Sequence, residues 1–218
     1  MSDIEFGSES FDISRVHQFI TAGKPFCLNL KGPSQNGREY LKNIIIEYLK
    51  QLGKETSFSL VCLCMEEIIS NSVKANVKRA YFIANHLDIN KHDDYEIGMK
   101  NFREAGIRLY KEKSFIKNLQ ELGFYVNISF YIANNIFYIT TRNNSVISQE
   151  EIARIEKKLK LSENKTPEDI FMNSIDTTEG AGLGIIMIKK IMNQVSTLPD
   201  CFSISATDTE TVTELKIK

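Results

Sequence analysis

Thr177-Thr178-Glu179-Gly180-Ala181-Gly182-Leu183-Gly184 runs directly into an apolar-periodic stretch, residues 185–192. Three alternating glycines at the mouth of a helix let backbone N–H groups approach an anion closely, with the positive end of the helix dipole behind them. That is the chemistry of a phosphate cradle, although the same composition also makes a plain turn. What decides between the two is whether the chain carries a second motif able to hold a metal or a base.

Such a motif lies upstream, in Cys64-Met65-Glu66-Glu67-Ile68-Ile69-Ser70-Asn71-Ser72-Val73-Lys74-Ala75-Asn76, inside a long helical pattern. Glu67, Asn71, Lys74 and Lys78 are spaced by four, three and four and so share one helical face, whereas Leu63, Ile69 and Val73 are expected to point elsewhere, into a core. Asn71 offers a neutral oxygen ligand suited to Mg²⁺, and Lys74 can meet phosphate oxygens. Glu67 can hold a metal-bound water or act as a base. On this helix alone a solvated face supported by Glu-to-Lys pairs is an equal reading.

Taken together the two stretches resemble the ATP-binding domain of the GHKL, or Bergerat, family, which includes histidine kinases and gyrase-type ATPases. Glu67-x-x-x-Asn71-x-x-Lys74-Ala75 is similar to its N box, and Gly180-x-Gly182-Leu183-Gly184 to its second glycine box. The resemblance implies an α/β two-layer sandwich, a mixed sheet with helices packed on one face, over residues 25–218 with one insertion. It implies ATP and Mg²⁺ as cofactors. Asn71 would hold the metal, Lys74 and the amides of Gly180, Gly182, Leu183 and Gly184 would surround phosphates, and Asn143 would read adenine. Glu67 would position or deprotonate the attacking group.

The central box departs from the family pattern. In Thr140-Thr141-Arg142-Asn143-Asn144-Ser145, Asn143 stands where the family has Asp, Ser145 stands where it has Gly, and a second glycine is missing. An Asn oxygen still accepts a hydrogen bond from an amino group, without charge assistance. Ser adopts positive φ less readily than Gly, so this loop either takes another path or alters the base pocket. Two functions are therefore open: a nucleotide-binding signalling protein, or an interaction module that kept the fold and lost the nucleotide.

Length and charge narrow the setting. At 218 residues with 42% hydrophobic content the chain can bury one substantial core, and no Pro/Gly/Ser-rich linker divides it, so one domain over residues 1–218 is expected. A net charge of −1 gives no electrostatic case for nucleic acid as the main partner. No apolar run has the length of a membrane span, and Met1-Ser2-Asp3-Ile4-Glu5 has neither a basic start nor an apolar signal core, which points to a cytoplasmic protein. Cys27, Cys62, Cys64 and Cys201 are scattered, and reduced core thiols are expected.

Periodicity places the elements. Helices are expected over residues 11–22, 38–52, 56–84 and 149–161, with a turn at 32–37. Strands are expected over 24–30, 124–132, 136–141, 201–206 and 211–217, the second and third joined around Asn134-Asn135. Residues 86–122 form a helical insertion in which Phe102, Leu109, Phe115, Ile116 and Leu119 make a stripe that buries itself against its own domain or docks a partner. Residues 148–179 correspond by resemblance to the ATP lid, with Phe171 as its aromatic and residues 162–167 as a loop.

Activity is read from what accompanies these motifs. The histidines are His17, His86 and His92, and none lies in a two-helix stalk with a His-Glu pair. A stand-alone regulator is the reading this favours over a sensor kinase or a gyrase-like coupled ATPase. By resemblance to small anti-sigma-type kinases it would transfer phosphate to a regulatory protein partner, or bind that partner in a nucleotide-dependent way.

Overall fold

The structure is a computed structural model that describes residues 4–5, 12–30, 35–111, 119, 121–162 and 183–218. Its sheet is built from β1 (Ile4–Glu5), β2 (Phe26–Leu30), β3 (Val126–Ala133), β4 (Ile136–Asn143), β5 (Phe202–Ala206) and β6 (Thr211–Ile217). The strand order is β1-β2-β3-β4-β6-β5, with β1 parallel to β2 and every other pair antiparallel, so the sheet is mixed. Among the described residues the helices are α1 (Ile13–Thr21), α2 (Gln35–Gln51), α3 (Phe58–Ala84), α4 (His92–Lys111), α5 (Gln149–Ser162) and α6 (Leu183–Val195).

Alternation along the strands decides which face takes the helices. Phe26, Leu28, Ile128, Phe130, Phe137, Ile139, Leu215 and Ile217 are buried in one core with Ile44, Ile45, Tyr48 and Leu49 of α2, Val61, Met65 and Ile68 of α3, and Ile188 and Met192 of α6. The opposite face carries Asn127, Ser129, Tyr131, Tyr138 and Arg142, none of them fully buried. The result is an α/β sandwich of helices on one face of a mixed sheet. Tyr48 locks the two layers together: it is fully buried, stacks on Phe137 at 4.8 Å, and its hydroxyl donates to the Phe130 carbonyl at 3.0 Å. Burial pushes its phenol well above the ordinary range, which suits a group that only donates.

Local chemistry sets the connections. Asn134 and Asn135 have φ of 51° and 56° and join β3 to β4 with Ala133 opposite Ile136, a two-residue turn whose twist matches the strands. The Asp12 side chain caps α1 by accepting from the Ser14 amide at 3.0 Å. At α5 a reciprocal cap forms: the Ser148 hydroxyl accepts from the Glu151 amide at 3.1 Å, and the Glu151 carboxylate accepts from the Ser148 amide at 3.0 Å. The insertion lies back on α3. Tyr81 meets Phe102 at 5.5 Å, Gly98 sits where any side chain would strike the Phe82 ring, and Leu119 is buried with Val77 and Ala80. Leu109, Phe115 and Ile116 have side chains outside the described set.

Two expectations are corrected. Helix α2 begins at Gln35, so Gln35, Asn36 and Gly37 are helical and not part of a turn, and Gly37 is buried there. Leu63 does not enter the core but is 43% exposed. The buried face of α3 is instead traced by Val61, Met65, Ile68, Ser72, Asn76 and Ala80, spaced at the helical repeat. The thiols of Cys62 and Cys64 are buried and free, and burial pushes them up to about 11 and about 12, so both stay protonated and inert at neutral pH.

Candidate functional site

Between α3, the end of β4, α5 and α6 lies a cavity of about 150 Å³. Helix α3 presents Ile68, Asn71, Ser72, Ala75, Lys78 and Arg79 to it, at the spacing of one helical stripe. The sheet contributes Asn143, Thr211 and Thr213 and the loop after β4 contributes Ser145, while Ile155, Ile185, Ile188 and Ile204 supply apolar wall. Ile89, from the segment joining α3 to α4, closes another part.

Of the residues singled out by motif, Asn71 and Asn143 meet in this cavity although they lie far apart in the chain. Glu67 joins them indirectly. Its carboxylate accepts from the Asn71 amide at 3.0 Å, and because a carboxylate can only accept, the Asn71 nitrogen faces Glu67 and its oxygen is the end left for a ligand. Gly184, in the first turn of α6, lies directly against the same carboxylate, where any Cβ would collide with it. The two sequence motifs are thus in contact through Glu67 and Gly184. Leu183 opens α6 and is half-buried, while Gly180 and Gly182 fall outside the described residues, as do Phe171 and residues 163–167.

Glu67 faces away from the first cavity. It lines a second one of about 300 Å³ between α2, α3 and α6, together with Arg38, Lys42, Leu63 and Met187. Lys74 enters neither: it is exposed, although spacing groups it with Asn71. The helical repeat gives the reason, since the cavity stripe is centred near Ala75 and Lys74 lies about 100° around the axis from that centre. The cations at the cavity are Lys78 and Arg79. Lys78 Nζ pairs with Glu151 Oε1 at 2.9 Å, and Arg79 Nη2 donates to the Val146 carbonyl at 3.2 Å. Burial acts to raise the Glu151 carboxyl, but Lys78, the Ser148 amide and Arg79 outweigh it and hold the group below its ordinary value.

The loop after β4 is held by side-chain amides. Asn144 accepts from the Tyr125 amide and donates to the Gly123 carbonyl, both at 3.0 Å. Asn76 donates to the Tyr125 carbonyl at 3.0 Å and accepts from the Ser145 hydroxyl at 2.7 Å. Asn143 donates to the Ser145 carbonyl at 3.2 Å, and Thr211 donates to the same carbonyl at 2.7 Å. Positive φ among the described non-glycine residues is confined to His86, Asn134 and Asn135, so Ser145 carries no such strain. Motif reading passed over Ser72, Asn76, Arg79 and Thr211, while Lys78, which spacing had grouped with Asn71, does reach the cavity. For Ser72, Asn76 and Arg79 the signal was a helical stripe shifted by one residue from the one chosen.

No family model matches this chain. The chain is 23% identical over 207 residues to an uncharacterized protein of Treponema pallidum (strain Nichols), an alignment covering 94% of this chain and 40% of that protein. It therefore spans about two fifths of the length of the curated relative it matches. The crystal structure of the SiaB-SiaC complex from Pseudomonas aeruginosa is similar to it with a TM-score of 0.43 at 14% identity, covering 96% of this chain and 99% of that chain. Among the described residues no helix is long and apolar enough to cross a membrane.

Proposed function

We propose that the chain is an ATP-binding signalling protein of the GHKL type that transfers phosphate to a regulatory protein partner or binds that partner in a nucleotide-dependent way. The observation that carries this is the convergence of Asn71 and Asn143 on one cavity, with the start of α6 against Glu67 beside it. Those three elements were picked out by three separate motifs, and a chance set of surface residues has no reason to meet.

The cavity is smaller than the roughly 300–1,000 Å³ of pockets that enclose whole drug-sized ligands, so it would hold the base while sugar and phosphates extend past Asn71 toward α6. Mg²⁺ fits the donor set in one way. Asn71 has its nitrogen tied to Glu67 and its oxygen without a partner among the described residues, which also contain no cluster of three His, Cys, Asp or Glu to cage the ion without phosphates. When bound, the ion would neutralise charge on the phosphates, most of its ligands being phosphate and water oxygens. The amides at the start of α6 would cradle phosphates. Glu67, facing the second cavity, would accept the proton of an attacking hydroxyl that entered from that side.

The second reading, a module that no longer binds nucleotide, draws on Asn143 and Ser145. Calorimetric titration of Mg²⁺-ATP separates the two. Binding that Asn71→Ala weakens by about tenfold or more supports the proposal, whereas no heat at millimolar ATP leaves the interaction module.

A further inference from the structure

The base that the site takes is also written in the hydrogen bonds around Asn143, an inference that rests on the nucleotide reading above. An asparagine can read two kinds of purine: its oxygen accepts from a 6-amino group, and its nitrogen donates to a 6-oxo group. An amide free to turn over would take both.

Two backbone carbonyls remove that freedom, because a carbonyl can only accept. The Tyr125 carbonyl lies 3.0 Å from the Asn76 amide, so the Asn76 nitrogen faces it and the Asn76 oxygen points the other way, where it accepts from Ser145 Oγ at 2.7 Å. The Ser145 carbonyl, held in turn by Thr211 Oγ1 at 2.7 Å, lies 3.2 Å from Asn143 Nδ2, and the Asn76 oxygen lies 3.5 Å from the same nitrogen. Turning the Asn143 amide over would set its oxygen against two other oxygens. Asn76, Asn143 and Ser145 are 4%, 3% and 5% exposed, so little water is present to relieve that repulsion.

We propose that Asn76 and Ser145 are specificity-determining positioning residues, which hold Asn143 with its carbonyl oxygen toward the cavity and thereby select 6-amino over 6-oxo purine nucleotides. A consequence runs against the family pattern. Asn143→Asp, which installs the residue the family carries, would place a carboxylate oxygen against the Ser145 carbonyl and the Asn76 oxygen, and so would weaken ATP binding. Lowering the pH would restore it, since a protonated carboxyl can donate to Ser145 as the amide does. Among the described residues the charged groups at this cavity are the Lys78–Glu151 pair and Arg79, which the native protein shares and therefore controls for.

The test is the affinity of Mg²⁺-ATP and Mg²⁺-ITP for the native chain, Asn76→Ala, Ser145→Ala and Asn143→Asp, measured from pH 5 to 8, with the unfolding midpoint of each variant recorded. The native chain should prefer ATP by about tenfold or more. Asn76→Ala should narrow that ratio through a gain for ITP, and Ser145→Ala, which removes only a hydroxyl, should narrow it less. Asn143→Asp should bind ATP about tenfold more weakly than native at pH 8 and recover toward pH 5. Equal native affinity for ATP and ITP, or Asn143→Asp binding ATP as tightly as native at pH 8, overturns the lock while leaving the nucleotide site standing. Native protein that binds neither nucleotide overturns the nucleotide reading and the lock with it.

Discussion

Gly184 is a glycine because of a neighbour, not because of its backbone. The described glycines with positive φ are Gly23, Gly53 and Gly123, whereas Gly184 lies within α6 against the Glu67 carboxylate. Gly184→Ala would gain helix propensity of about 1 kcal/mol and spend it displacing a flexible side chain, so unfolding in denaturant should shift by no more than about that amount. Mg²⁺-ATP affinity should fall by about tenfold, since Glu67 can no longer hold the Asn71 amide. Unchanged affinity would show that the contact has no bearing on the site. A second residue carries an acid signature. Glu47 is 5% exposed and accepts from His17 and from Lys50, each at 2.7 Å. Burial acts to raise its carboxyl, and those two partners more than offset it, leaving the group below its ordinary value of 4.5. A depressed carboxyl stabilises the fold fully above its unfolded value and loses that contribution as pH falls through the folded one. Glu47→Gln should therefore lower stability at pH 7 and flatten the fall in stability below about pH 4.5, measurable by urea unfolding across pH.

The elements that could be read from the sequence are those whose periodicity was strong and whose ends carried local signals. The apolar stripe of α2 from Leu41 to Leu49 is buried as its spacing requires, and the Asn134-Asn135 turn follows from the tolerance of Asn for positive φ. Helix α3 was legible as a helix but not in its orientation. It is apolar on more than one side, so Leu63 and the Lys74 stripe could be rotated by one residue without spoiling the pattern, and only packing against β4 and α6 settles which side faces the cavity. The capping box at Ser148 has a Ser-x-x-Glu signature that motif reading passed over, and its second use carries no local signal at all: Glu151 both caps α5 and pairs with Lys78 across the cavity. That double role is testable. Glu151→Gln keeps an acceptor for the Ser148 amide but loses the charge that holds Lys78, so α5 should retain its start while its tie to α3 loosens. Amide exchange in residues 149–158 should accelerate, with exchange in α3 little changed; equal protection in both forms would mean that the cap alone fixes α5.

At the scale of the whole molecule, one layer of helices on one sheet face makes the fold and the site a single cooperative unit, because the cavity walls are also the packing surfaces of α3 and α6. Ligand binding should then register as global stability. Mg²⁺-ATP at a hundred times its dissociation constant adds about 2.7 kcal/mol to a folded state that alone binds it. For a chain of this length that corresponds to a rise of roughly 5–10 °C in the unfolding midpoint. Asn71→Ala should lose most of the rise, and Lys74→Ala, an exposed position, should keep it. The most direct measurement is photolabelling with azido-ATP, with the attached residues located by peptide mass spectrometry. The account predicts adducts confined to peptides from α3 around Ile68 to Arg79, from the loop after β4 or from α5, and their loss when excess Mg²⁺-ATP competes. Labelling elsewhere on the chain, or labelling that ATP does not compete away, would contradict it.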